Sequence, residues 1–174
     1  MSTAVPGFAF LWDEATDLAS VILKRLLEQG ATLTCAESCT GGLIAAALTE
    51  VPGSSGAFKG SVVSYWADVK EGVLGVDAQT IEGEGVVSCA CAEEMAFGAA
   101  KLMGCDYALS TTGLAGPGGA EPGKPVGTVC IALKTPDALR SGTIHAQGDR
   151  QQVRGQAVVA ALTMLAQHLG VESS

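Results

Sequence analysis

Between Glu14 and Gln29 the apolar residues Leu18, Ile22 and Leu26 recur at helical spacing, with Ala15 and Ala19 on the same face. Gly30 follows, so the pattern predicts an amphipathic helix closed by a glycine cap. Ala31 to Ala36 alternates as a strand does, and Thr40 can cap a second helix over Gly41 to Thr49. Pro52-Gly53-Ser54-Ser55-Gly56 is a loop by composition. Ser61 to Tyr65 reads as a strand and Ala67 to Leu74 as a short helix, whereas Asp77 to Val87 shows no clear period. Ser88 opens an alanine-rich helix running to Met103. Asp106 to Ser110 is a strand that leads into the glycine-rich stretch 113–119. Val126 to Leu133 is a strongly apolar strand, with Gly142 to Gln147 predicted beside it. The last helix spans Arg150 to Leu169, with Val158, Leu162, Leu165 and Leu169 on one face.

Helices and strands interleave along most of the chain, but the last two strands follow one another directly. This order predicts an α/β fold, a single three-layer α/β/α domain with a mixed sheet. Residues 13–172 are expected to form that domain, with 1–12 as an N-terminal extension. A length of 174 residues is enough for one domain with a sizeable core, and a hydrophobic content of 48% argues against disorder.

A net charge of −8 disfavours nonspecific contact with nucleic acid or an anionic membrane. No apolar run reaches the roughly 18 residues needed to cross a bilayer, and no basic segment opens a secretory signal. A soluble, cytoplasmic protein is expected. The six cysteines include no CxxC pair, and several lie in apolar stretches such as Thr128-Val129-Cys130-Ile131. They read as free thiols in a reducing compartment rather than as bridges. The only histidines, His145 and His168, lack metal-ligand spacing, so neither a metal nor another cofactor is expected. The apolar-rich composition is compatible with a homo-oligomer, most simply a dimer.

Three glycine- and hydroxyl-rich stretches punctuate the predicted strand ends: 36–42, 52–56 and 111–117. In open α/β sheets ligands bind in the crevice beyond strand ends, where such loops meet. The first stretch runs into a helix N-terminus, where free N–H groups at Thr40, Gly41 and Gly42 could hold an anion such as a phosphate. An ordinary helix cap with glycines for close packing explains it equally well. Glu37 either holds ribose hydroxyls or supports the loop through backbone N–H groups. Ser55, Tyr65 and Lys70 form a second constellation. A lysine whose charge is disfavoured by burial can take a proton from a serine, with a tyrosine relaying it or holding the lysine. Taken singly, these residues also fit a turn, a core position and a solvated helix face. Cys39, near a helix N-terminus, has no histidine partner evident in the sequence.

The blocks AESCTGG (36–42), PGSS (52–55), YWADVK (65–70), STTGLAGPGG (110–119), KPVGTV (124–129) and GDRQQVR (148–154) occur together and in order. In this the chain resembles the nicotinamide-nucleotide amidase and CinA C-terminal domain family, over nearly its whole length after the first dozen residues. The amidases of that family hydrolyse the carboxamide of nicotinamide mononucleotide to the nicotinate nucleotide and ammonia.

The resemblance implies Ser55 as nucleophile with Tyr65 and Lys70 as its activating partners. It also implies Thr112 and Arg150 in the pocket, beside Gly113, with Ser38 of the AESCTGG block as a further contact. Arg150 or the helix N-terminus near Thr40 would hold the phosphate. Where the family commonly has YSNEAK this chain has YWADVK, and where it often has GPDGG this chain has GPGGA. Lys59 stands where arginine is frequent. A noncatalytic nucleotide-binding module and an amidase for another small amide are the alternatives.

Overall fold

The computed structural model describes residues 5–173. The first helix, α1 (Phe8–Gln29), buries Leu18, Ile22 and Leu26 as their spacing requires, and Gly30 ends it in left-handed conformation. It also starts earlier than the period suggested. Leu11 is buried on α1, and Gly155 of the last helix leaves no room for a side chain against Leu11 and Phe8. Phe8 and Leu11 thus pack against the last helix.

Five strands follow in chain order: β1 (Leu33–Glu37), β2 (Phe58–Val63), β3 (Tyr107–Gly113), β4 (Thr128–Lys134) and β5 (Leu139–His145). They form one sheet in the order β2-β1-β3-β4-β5. β1 is parallel to both β2 and β3, while β4 and β5 are added antiparallel, so the sheet is mixed as expected. All five residues of β1 are buried, because helices cover both faces. That is why the alternation in 31–36 is weak.

The remaining helices are α2 (Leu43–Glu50), α3 (Ala67–Leu74), α4 (Ala78–Gly83), α5 (Cys89–Met103) and α6 (Arg150–Leu169). α1, α2 and α6 close a large apolar core over Leu33, Cys35, Leu109, Ile131 and Leu133. On the other face α5 lays Ala92, Ala96 and Ala100 against Ala108, Cys130 and Ala132. Small residues on both sides allow that close approach. The short helix α4, in the segment without a period, buries none of its residues and is held at its start by Asp77, whose side chain accepts from Gln79 N–H. Without a buried face there was no apolar period to read.

From β1 the chain crosses to β2 on one side, then returns past β1 to β3 on the other. The carboxyl end of β1 is thus the point where strand order reverses, and a crevice opens there. Ser38 is the first residue beyond it.

Candidate active site

Three strand exits meet at this crevice. β1 delivers Ser38, the residues after β2 deliver Tyr65 and, one helical turn on, Lys70, and the end of β3 delivers Thr112 and Gly113. Together with Arg150 at the start of α6 they line a cavity of about 340 Å³. That volume lies at the small end of ligand sites, which run from roughly 300 to 1,000 Å³.

Lys70 is the buried cation of the cavity wall. It is only 1% exposed although it lies on a short surface helix. Its Nζ donates to the Ser64 carbonyl at 2.6 Å and to Ser38 Oγ at 3.0 Å. Neither ion pair among the described residues includes it. Burial therefore lowers its pKa below the ordinary lysine value, with the nearby Cys91 and Cys39 thiols opposing the shift. A buried amine with no carboxylate partner, touching one serine hydroxyl, is equipped to act as a base.

Ser38 is nearly buried, and its backbone N–H donates to the Thr111 carbonyl, which fixes the turn after β1. Arg154 holds the same turn from α6: Nε donates to the Cys39 carbonyl and Nη2 to the Thr40 carbonyl, at 3.1 and 2.8 Å. Among the described residues no protein acceptor meets the N–H groups of Cys39, Ala115 or Gly116, all three of which line the cavity. Burial pushes the Cys39 thiol up to about 12, so it is an inert neighbour rather than a nucleophile.

Ser55 does not join this site. It lies in a single 3-10 turn, Ser54–Gly56, and is exposed. That turn enters β2, whereas Lys70 follows β2's exit, so the six-residue strand stands between them. A strand of that length spans roughly 20 Å. Ser38, expected only as a contact, takes the place beside the lysine that Ser55 was expected to fill.

The expected anion cradle is also filled from within. Both oxygens of the fully buried Glu37 carboxylate are used by the protein. Oε2 accepts from Thr40 Oγ1 and the N–H groups of Gly42 and Ile44, and Oε1 accepts from Ala45 N–H and Ser61 Oγ. Glu37 is thus the cap of α2 and has no face toward ribose hydroxyls. Thr40 is fully buried and shares a hydrogen bond with Thr111, and Gly41 packs beneath the Arg154 guanidinium. The Thr40 hydroxyl and the Gly42 N–H hold this carboxylate, and the Gly41 N–H donates to the Ser38 carbonyl, so a phosphate cannot take these groups.

Tyr65 and Arg150 meet at the mouth of the cavity. Arg150 Nη2 donates to the Tyr65 hydroxyl at 2.9 Å, and Nη1 donates to the Gly116 carbonyl at 2.8 Å. The tyrosine hydroxyl thus goes to the arginine and not to Lys70. Asp149 and Gln152 form a reciprocal cap at the start of α6, which sets Arg150 in the first turn. Thr112 lines the cavity with its hydroxyl donated to the Val86 carbonyl, and Gly113 is hemmed in by β4, where a side chain would strike Val129 and the Thr128 carbonyl. Neither histidine takes part: His145 sits on the edge strand β5, and His168 packs against Tyr107. The described residues include no cluster of histidine, cysteine and carboxylate suited to a metal ion.

The CinA C-terminal domain model matches residues 15–169. The chain belongs to the CinA C-terminal domain family. A CinA-like protein of Fervidobacterium nodosum is 43% identical over 149 residues, covering 86% of this chain and 36% of that protein. A CinA-like protein of Chlorobaculum tepidum is 48% identical over 150 residues, covering 83% and 35%. This chain therefore spans about a third of the length of the curated relatives it matches. Among solved structures, a CinA superfamily protein of Klebsiella pneumoniae superposes with a TM-score of 0.86 at 36% identity, covering 90% of this chain and 98% of that one. The competence/damage inducible protein of Agrobacterium tumefaciens does so with a TM-score of 0.86 at 36% identity, covering 97% and 99%. The α/β fold is that of CinA superfamily structures.

Arg154 and the Ser64 carbonyl are the site-shaping groups that motif reading passed over. Arg154 stands one turn after Arg150 inside the GDRQQVR block, so its position on the same helix face was available from spacing. No residue type marks a carbonyl, and Ser64 offered no signal.

Proposed function

We propose that this protein is a serine–lysine amidohydrolase that hydrolyses the carboxamide of nicotinamide mononucleotide, with Ser38 as nucleophile and Lys70 as base. The observation that carries this reading is the 3.0 Å contact between a buried, ion-pair-free lysine and a serine at the strand-order reversal. The resemblance of the sequence blocks to the nicotinamide-nucleotide amidases supports the choice of substrate.

Neutral Lys70, anchored through one N–H on the Ser64 carbonyl, presents its lone pair to Ser38. Ser38 Oγ attacks the amide carbon as its proton passes to Lys70 Nζ. The oxyanion that forms needs preorganised donors. The N–H of Cys39, directly after the nucleophile, and those of Ala115 and Gly116 are unspent and suit that task. Lys70 then returns the proton to the departing nitrogen, and ammonia leaves. Water, deprotonated by the same amine, attacks the acyl-serine and releases the carboxylic acid, restoring Ser38.

The phosphate falls to Arg150. Two of its five N–H donors are used by Tyr65 and Gly116, which leaves others for an anion at the cavity mouth. The α2 N-terminus, closed by Glu37, is not available for it. Tyr65 acts by holding this arginine and shaping the entrance. No residue of the site calls for a metal. The work would take place in the cytoplasm, where the substrate and reduced thiols coexist. The direct test is incubation of the purified protein with nicotinamide mononucleotide in chelator. Equal molar release of ammonia and nicotinate mononucleotide is expected. Tight binding with no release would replace this reading with a nucleotide-binding module.

A further inference from the structure

A second cavity, of about 400 Å³, lies on the α5 face of the sheet beside the first. The two share only Val87 in their walls. Cys89, Cys130, Thr143, His145 and Lys124 line it. Cys89 is the first residue of α5 and is partly exposed, whereas Cys130 lies on β4 and is 3% exposed. Thr143 is the register partner of Cys130 on β5. Its hydroxyl lies 3.4 Å from the Cys89 sulfur and 3.6 Å from the Cys130 sulfur. Two thiols from different elements thus converge on one oxygen, at the wall of an open cavity. None of the chemistry assigned to Ser38 and Lys70 uses them.

We propose that Cys89 and Cys130 are a disulfide-forming site, oxidised by a small peroxide, that ties the start of α5 to β4. The two thiols have unequal roles. Cys89 is the one that solvent reaches. Burial raises the Cys130 thiol, the Thr143 hydrogen bond lowers it, and the adjoining Cys89 raises it further, so Cys130 is slow to react alone. In the first step the Cys89 sulfur attacks one peroxide oxygen, the O–O bond breaks, and water leaves, giving a sulfenic acid. In the second the Cys130 thiol attacks the Cys89 sulfur, the S–OH bond breaks, and a second water carries away the hydroxyl with the thiol proton. Two sulfurs are oxidised and the peroxide is reduced. The peptide between the two cysteines includes Thr112, the register partner of Cys130 and a wall residue of the candidate active site.

The experiment is peptide mapping of the folded full chain after stoichiometric hydrogen peroxide, with alkylation of the remaining thiols and no reductant. A Cys89–Cys130 linked peptide, two hydrogens lighter than the sum of its parts and abolished by dithiothreitol, is expected. In Cys130→Ser, Cys89 should stop at the sulfenic acid and be captured by dimedone. In Cys89→Ser, Cys130 should stay alkylatable only after unfolding. The proposal is overturned if Cys89 in the parent chain goes to sulfinic acid with Cys130 still reduced, or if it links instead to Cys91 or to Cys89 of another copy. The readout is thiol chemistry, so it stands or falls independently of amidase activity.

Discussion

Lys70 is the residue on which the proposed chemistry turns, and its burial makes a testable demand on pH. Its pKa is lowered in the fold by desolvation, and the proposed base is its neutral form. Activity should therefore rise with pH as the ammonium loses its proton, with a midpoint below the ordinary lysine value of about 10.4. The same shift feeds stability. Between the lowered folded pKa and the unfolded value the folded chain binds fewer protons than the unfolded one, so stability rises with pH across that window. Lys70→Met should lose the activity and this part of the stability slope together. A pH–rate profile of kcat/KM and denaturation curves at several pH values read both; a rate independent of pH would remove Lys70 as the base. The sequence made Lys70 visible through the YWADVK block, because its ends match the family. It did not reveal what the lysine touches. Ser38 and Ser55 each sit in a hydroxyl-rich loop beside a strand; the resemblance implied Ser55 as nucleophile, whereas Ser38 is the serine that contacts Lys70.

At the scale of elements, α2 depends on a carboxylate that reading by motif left between two roles. Glu37 accepts three N–H groups and two hydroxyls at the start of that helix. Glu37→Gln keeps the shape but exchanges an acceptor oxygen for an NH2 group facing other donors. Leaving one or two of those groups unsatisfied costs about 1–3 kcal/mol. For a chain of this size that lowers Tm by roughly 3–10 °C. Thermal denaturation checks it, and an unchanged Tm would show that the cap is not needed. Most elements were legible because they bury a periodic face: α6 spans Arg150–Leu169 as read, and α3 spans Ala67–Leu74. The beginning of α1 was not, because Leu11 gains its meaning only from contact with Gly155, distant in sequence. Glu37 stayed open between two roles because three of its five partners are backbone N–H groups, which no residue type marks.

The whole molecule explains why one serine is in the site and the other is not. In parallel βαβ units the loops that leave strands and the loops that enter them lie at opposite ends of the sheet. The 36–42 block leaves β1 and the 52–56 block enters β2, so the parallel pairing of β1 with β2 puts Ser38 and Ser55 at opposite ends of the sheet. The fold class was readable from the alternation of elements, but which strands pair in parallel was not, and with it went the end of the sheet to which each loop belongs. Which end carries the chemistry is decided by comparing Ser38→Ala with Ser55→Ala for ammonia release from nicotinamide mononucleotide. The account predicts that Ser38→Ala loses activity by about 10³-fold or more, as removal of a nucleophile does, while Ser55→Ala stays close to the parent. Activity surviving in Ser38→Ala but vanishing in a folded Ser55→Ala would contradict it.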